Sequence, residues 1–413
     1  MRARWAGTGI LAALALLPAA LSGCGGVSSS TAAENVGSQL TIYSSLPLQG
    51  PEGSISQQIV GGEKLALSGA QGHVGRFTVS YVALDDSNTT TGEWDPGVTA
   101  SNAKSAAQDP TTIAYLGDFN SGATAVSLPL TNAAGILQVS PASPYVGLTS
   151  SFDANQGEPE RFYLTGKRTF GRIAPGDTVQ AAAQVALLRR LGIHKLYLVA
   201  DQDPFDTPLA AIVQGDAEHA GIKVVGDDTI TIAPGSSFTG EVKKISESGA
   251  QAVLASATAT EEAAEFWREL HTAAPHLSLL ASATMDNSVF ISHLQEAESA
   301  TFIGSPLLPL NLYPPSARRV LSEYRRRFAT AGGAYALYGY EAMGVVLASI
   351  RAAGAGGDDR QAVIDKFLTT HERDSVLGTY SIQPNGETTL STYAIDRVAN
   401  GMSVFWKAFD TAG

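Results

Sequence analysis

Residues 115–126 read YLGDFNSGATAV. An apolar strand, TTIAYLG (111–117), ends in a turn carrying Asp118, Asn120, Ser121 and Gly122, and a helical pattern follows. A strand–turn–helix of this composition either only turns the chain or places backbone N–H groups and hydroxyls around a ligand at a helix N-terminus. The stretch alone leaves both readings open.

Outward from that turn, strand-like runs alternate with helical ones. LTIYSS (40–45), FTVSYVAL (77–84), TIAYLG (112–117) and ILQVS (136–140) read as strands, with helices at about 56–70, 97–108 and 122–133. The pattern then restarts. KLYLVA (195–200), IKVVGDDTI (222–230), AVLASA (252–257) and LSLLASA (277–283) alternate with helices near 177–192, 205–220, 238–249 and 260–273. Strands separated by helices of this length imply βαβ units and mainly parallel sheets, so the chain reads as two successive α/β blocks. The last quarter holds a long helix (336–354), a second at 358–369, two strands joined by a turn at PNGE, and a third strand after Asn400-Gly401. A remainder with one helical and one β part can be divided between the two blocks.

The N-terminus has a different character. Met1–Gly9 carries two arginines and no acid, and ILAALALLPAAL (10–21) is too short to span a bilayer comfortably. LSGC (21–24) follows, with small residues before the only cysteine of the chain. This is the pattern of a bacterial lipoprotein signal: residues 1–23 as signal peptide, Cys24 as the lipidated residue, and 24–39 as a small, polar tether. A single cysteine excludes an intramolecular disulfide.

The chain has 413 residues, 44% hydrophobic and 16% charged, which describes a compact globular protein and not a disordered one. A formal net charge of −12 and no basic run longer than Arg325–Arg327 argue against a nucleic-acid partner. Loss of residues 1–23 would remove Arg2 and Arg4 and no acid, so attachment to anionic lipid would rest on acyl chains at Cys24. Seven scattered histidines contain no HExxH, and there is no GxSxG elbow. GAGG (354–357) follows a helix rather than a strand. No catalytic constellation, metal site or cofactor loop is expected.

In their order, SSLPLQG (44–50), VALDDS (82–87), YLGDFNSGAT (115–124), SPASPYVGLT (140–149), RIAPGDTVQAAA (172–183), YLVADQDPFDTPLA (197–210), YGYEAMGVVLASIRAAG (338–354) and GTYSIQPNGE (378–387) resemble the type I periplasmic solute-binding proteins. The resemblance is to their branched-chain amino-acid (leucine/isoleucine/valine) binding family of ABC-transporter receptors. It implies an α/β fold of two doubly wound parallel-sheet lobes joined by three hinge crossovers, with the ligand in the interlobe cleft. Lobe 1 would be 40–172 plus 308–374, and lobe 2 would be 177–301 plus 379–409, with crossovers near 172–177, 301–308 and 374–379.

The resemblance also implies site residues. Ser121, flanked by Asn120 and Gly122, matches the family's seat for the ligand carboxylate. Ser143 and Tyr145 lie in the second carboxyl-end loop, with Pro144 where a hydroxyl is usual. Asp177 matches an acid that faces the ligand amine, and also reads as an ordinary N-cap. Phe205 takes the place of a cleft tyrosine. In lobe 2, Thr258, Thr260 and Asp286 are the candidates; SATMDNS (282–288) has small residues where the family's amine-binding glutamate is expected. Glu261 and Glu262 open a helix and read as dipole-compensating surface acids. The implied function is capture of a small polar solute, an amino acid or related compound, and its delivery to an ABC permease outside the cytoplasm. A sensor reporting to a signalling partner, or a binder of a peptide or a non-amino-acid metabolite, remains an alternative.

Overall fold

A computed structural model describes residues 37–412, so Cys24 and most of the expected tether lie outside the described residues. The first sheet is built from β1 (Gln39–Leu46), β2 (His73–Val74), β3 (Phe77–Asp85), β4 (Thr112–Leu116), β5 (Leu137–Ser140) and β6 (Phe170–Arg172), in the order β2-β3-β1-β4-β5-β6. All its pairs are parallel except the short β2–β3 edge. Its inner strands are buried on both faces; every residue of TIAYL in β4 is buried. That explains the unbroken apolar runs of the sequence, since a parallel sheet is covered on both sides by helices.

The crossover helices on this sheet are α1 (Gly50–Gly69), α2 (Pro96–Gln108) and α3 (Ser121–Ala133). The chain then enters α4 (Asp177–Arg190) and a second sheet. There β7 (Lys195–Asp201), α5 (Thr207–His219), β8 (Lys223–Ile230), α6 (Thr239–Glu247), β9 (Ala252–Ser256), α7 (Glu261–Ala273), β10 (Ser278–Ala281), α8 (Ser288–Ser292) and β11 (Thr301–Ser305) follow in turn. Next come α9 (Pro315–Phe328), α10 (Ala334–Ala353) and α11 (Arg360–Leu368), which pack against the first sheet. A two-stranded ribbon of β12 (Arg373–Asp374) and β13 (Thr379–Tyr380) precedes β14 (Thr392–Ala399) and β15 (Met402–Asp410). The second sheet has the order β15-β14-β11-β10-β9-β7-β8, with β14 and β15 as antiparallel additions to a parallel body.

The fold is the two-sheet α/β architecture expected. Three details differ. Thr301–Ser305, read as a crossover, is a strand hydrogen-bonded to β10 and β14 of the second sheet. Residues 379–391, expected with the second lobe, stay largely with the first: Tyr380 and Ile382 belong to the core of the first sheet, and Leu390 packs on it. The reason is polar as well as apolar. Buried Glu341 of α10 pairs with Arg373 at 2.5 Å and accepts from the Tyr380 hydroxyl at 2.8 Å, which holds this segment down. Finally, α9 has no counterpart among the expected helices; its exposed face is arginine-rich and only Ala317 and Tyr324 are buried.

α1 and α10 cross in near backbone contact. A Cβ added at Gly62 would run into the Ala336 carbonyl, and one at Gly339 into the Ile59 carbonyl. Small residues at these points let the two helices approach, and both helices carry side chains to the site below. Gly339→Ala is therefore expected to force the helices apart and lower the unfolding free energy by about 1–3 kcal/mol, measured as a shifted urea midpoint at unchanged slope.

Candidate functional site

The turn of residues 118–122 is held from beneath by Asp118. Its carboxylate is fully buried and accepts from the Tyr115 hydroxyl at 3.0 Å, from Ser127 and from Gln138 Nε2 at 3.4 Å. Its carbonyl accepts from Ser140 Oγ at 2.7 Å and Ser143 Oγ at 3.0 Å. Burial, added to the nearby Asp86 charge, pushes the Asp118 pKa well above the usual carboxylate range. This acid is a structural anchor, and it fixes where Asn120, Ser121 and Gly122 emerge.

They emerge into a cavity of about 250 Å³ between the carboxyl ends of the two sheets. Eight of the ten residues expected at the site line it: Asn120, Ser121, Gly122, Tyr145, Asp177, Phe205, Thr258 and Asp286. Two do not. Ser143 is completely buried behind the wall, where its hydroxyl is spent on Thr124 Oγ1 at 2.6 Å and on the Asp118 carbonyl. Thr260 is the N-cap of α7, its hydroxyl accepting from Ala263 N–H at 3.1 Å. Ser143 thus supports the turn without facing the cleft, and Thr260 caps a helix.

Six aromatic rings form much of the wall: Trp94, Phe119, Tyr145, Phe205, Tyr335 and Tyr393. Phe205 meets Tyr145 edge-on with centroids 5.0 Å apart, and Phe119 tilts against Tyr335 at 5.7 Å. The halves touch here, since Asn155 Nδ2 donates to the Pro204 carbonyl at 2.9 Å. Trp94 lies flush on the first turn of α3, its ring carbon 2.6 Å from where a Gly122 Cβ would be. Only glycine admits that approach.

The tyrosine hydroxyls are largely spoken for. Tyr145 donates to Glu158 and accepts from Asn155 Nδ2 at 2.7 Å, so it offers the cleft its ring. Tyr393 donates to Gln180 Oε1 at 2.5 Å. Ser121 Oγ accepts from the Tyr145 N–H at 3.3 Å.

Behind the loop stands Arg172, at the end of β6 and without exposed surface. Its guanidinium donates to the Ser143 and Tyr145 carbonyls, each at 2.7 Å, and to Thr149 Oγ1 at 3.0 Å, and it pairs with Glu387 at 3.2 Å. Asp177, four residues after this crossover begins, accepts from Val146 N–H at 3.2 Å. Burial raises its pKa to about 7, with Arg172 acting in the opposite direction. Asp206 is raised to about 7 by burial, with Ser256 donating to it at 2.9 Å and Asp203, Asp201 and Asp177 repelling it. Burial also raises Asp286, whose carboxylate accepts from Ser403 Oγ at 2.5 Å. Burial raises Glu52 too, against the hydrogen bond from Asn120 Nδ2 at 2.9 Å.

Glu52, Trp94, Gln180, Asp206, Tyr335 and Tyr393 were missed by reading the sequence. Gln180 carried a usable signal, because it lies three residues after Asp177 on the same face of α4. Tyr335 and Tyr393 carried none; they reach the cleft only because α10 and β14 return to it from distant parts of the chain.

Residues 40–402 match the family described as periplasmic binding protein. The chain belongs to that family. This periplasmic binding protein is similar to a leucine-binding protein of Thermotoga maritima, at 18% identity and a TM-score of 0.71, covering 90% of this chain and 99% of that one. It is similar also to a branched-chain amino acid transporter substrate-binding protein of Streptococcus pneumoniae in complex with isoleucine, at 17% identity and TM-score 0.68 over 89% and 100%. A third similar structure is an ABC-transporter solute-binding protein of R. palustris in complex with benzoate, at 16% identity and TM-score 0.67 over 90% and 96%. No curated protein matches the chain. At these identities the likeness is one of fold.

Two predictions follow from the buried charges. Arg172→Met leaves Glu387 without its partner and two loop carbonyls without their donor; a loss of about 3–5 kcal/mol is expected in chemical denaturation. A carboxylate whose folded pKa is raised holds a proton the unfolded chain has released, so its contribution is present at low pH and lost as pH rises towards 7. Asp85, Asp109 and Asp228 are lowered instead and are ionised in both states across that range. Unfolding free energy should therefore fall between pH 5 and pH 7.5. Asp206→Asn should flatten the fall by up to about 1.4 kcal/mol per pH unit, read from urea midpoints across the series.

Proposed function

We propose that this protein is an extracytoplasmic lipoprotein that captures a small polar solute between its two halves and delivers it to an ABC permease. The observation that carries the reading is the convergence of eight residues from six separate places in the chain on one cavity, drawn from the carboxyl ends of both sheets. In open α/β sheets those ends are where ligands are held. Family membership supports the same role, and the similar structures with isoleucine and benzoate supply two solute chemistries to compare. Asn120, Ser121, Gly122, Tyr145, Asp177, Phe205, Thr258 and Asp286 are the proposed contacts, and the reading is of binding without transformation.

The two sheets serve as lobes, with the crossings at 173–176 and 306–314 and the return to β14 as hinges. Closure is favoured by whatever affinity the solute has for the closed arrangement over the open one. Among the described residues no helix is long and apolar enough to cross a membrane. Attachment is assigned to acyl chains on Cys24, with the residues that follow it as the tether.

The test is a thermal-shift screen of the full-length chain with small solutes, followed by small-angle scattering. A solute at 100 times its dissociation constant adds about 2.7 kcal/mol, a rise of several degrees, and should reduce the radius of gyration. Phe205→Ala removes the ring that meets both Tyr145 and Gly122; it should weaken the responding solute about tenfold while changing the midpoint of the protein alone little. A solute that raises the midpoint without compaction, and equally in the Phe205 variant, would place its binding elsewhere.

A further inference from the structure

Resting on the reading of this cleft as a solute site, we infer that its solute is an organic cation, an ammonium or guanidinium on a small apolar body, rather than an amino-acid zwitterion or a carboxylic acid. Among the described residues five carboxylates line the cleft, Glu52, Asp177, Asp203, Asp206 and Asp286, and no lysine, arginine or histidine does. They come from α1, α4, the loop after β7 and the loop after β10, so both halves present the same sign of charge.

The chemistry of the unpaired atoms points the same way. Glu52 Oε2 and Asn120 Oδ1 are both enclosed, and neither has a hydrogen-bond partner among the described residues. Both are acceptors. An ammonium offers three donors and no acceptor, so a lining of acceptors and carboxylates favours it and would repel a ligand carboxylate. The seat that would hold a ligand carboxylate is also crowded by the chain itself. Asn120 is the N-cap residue of α3 and its side chain is bonded to the Glu52 carboxylate, the Ser121 hydroxyl is engaged by Tyr145 N–H, and the Trp94 ring covers Gly122. Through the Asn120 side chain, a protein carboxylate is held beside the first turn of α3.

The six rings supply the other half of the recognition, because a cation over an aromatic face gains from the ring quadrupole and gains more when desolvated. A metal ion fits poorly. Among the described residues no three His, Cys, Asp or Glu side chains are grouped to hold one. Burial is the main cause of the raised pKa values of Asp177 and Asp206; Asp203, Asp201 and Asp177 add to it at Asp206, whereas Arg172 behind the wall opposes it at Asp177.

The experiment compares matched solutes on the full-length chain by thermal shift and by tryptophan fluorescence: leucine, 3-methylbutylamine and 4-methylpentanoate; phenylalanine, 2-phenylethylamine and 3-phenylpropanoate; and choline. The expected result is that at least one amine or choline binds ten or more times tighter than its zwitterion, with no response to either acid. Glu52→Gln and Asp177→Asn, which keep side-chain volume, should each weaken the cation tenfold or more without lowering the midpoint of the protein alone. Equal or tighter binding of a zwitterion or acid overturns the assignment, as does cation binding that both variants leave unchanged. A response confined to neutral or anionic solutes rejects the charge assignment and leaves solute capture standing. No response to any member, with no compaction in scattering, counts against both.

Discussion

Arg172 carries a full charge with no exposed surface, and much of the chain between the two halves is arranged around it. Its guanidinium binds the carbonyls of Ser143 and Tyr145, the hydroxyl of Thr149 and the carboxylate of Glu387. Its backbone N–H donates to the Gly386 carbonyl at 3.0 Å. An arginine can reach several acceptors at once because its donors form a rigid planar fork. Here that fork joins the loop after β5, the start of the passage between sheets and the segment before β14. The loop so fixed places the Tyr145 ring in the cleft and offers Val146 N–H to Asp177. Removing the guanidinium would loosen the wall, the crossing and the acid together.

The cleft built on that anchor has a consistent electrostatic character. The Tyr145 N–H and hydroxyl are spent within the protein, while carboxylates and rings remain on the lining. Burial makes ionised carboxylates costly unless a positive group joins them. The same desolvation that raises Asp177 and Asp206 would strengthen their attraction for a cation between the halves. The chain thus keeps the architecture of its family around a cleft whose lining is acidic and aromatic, and a shared fold leaves such a lining free to vary.

Much of the architecture was legible because parallel strands buried on both faces leave unbroken apolar runs, as TIAYL and AVLAS do. The turn of Asn120, Ser121 and Gly122 was legible for a local reason, since a strand-to-helix turn announces itself in composition. Ser143 shows the limit of that reasoning. Its place in a carboxyl-end loop was clear, but the direction of its hydroxyl depends on Thr124 and on the carbonyl of Asp118, which no spacing encodes. Thr260 could be read either as a ligand group or as a cap, and the cap geometry decides it. Residues 379–391 were assigned to lobe 2 by the resemblance, which put a crossover near 374–379, whereas the buried Glu341–Arg373–Tyr380 group holds their start against α10. Long-range polar contacts of this kind leave no periodic trace.

The strand order also bears on how the chain is made. β11 lies beside β10 but needs β14 on its other edge, and β14 begins 87 residues after Ser305, at Thr392. The first sheet likewise waits for α10, α11 and Tyr380 to cover it. Synthesis from the N-terminus therefore delivers both sheets before it delivers what completes either. Until the last quarter arrives, the emerging polypeptide presents an unpaired strand edge and an uncovered apolar face, the two features that invite association with other chains. Neither half can finish folding before its part of the last quarter has been made: the first sheet waits for α10, α11 and Tyr380, and the second for β14 and β15.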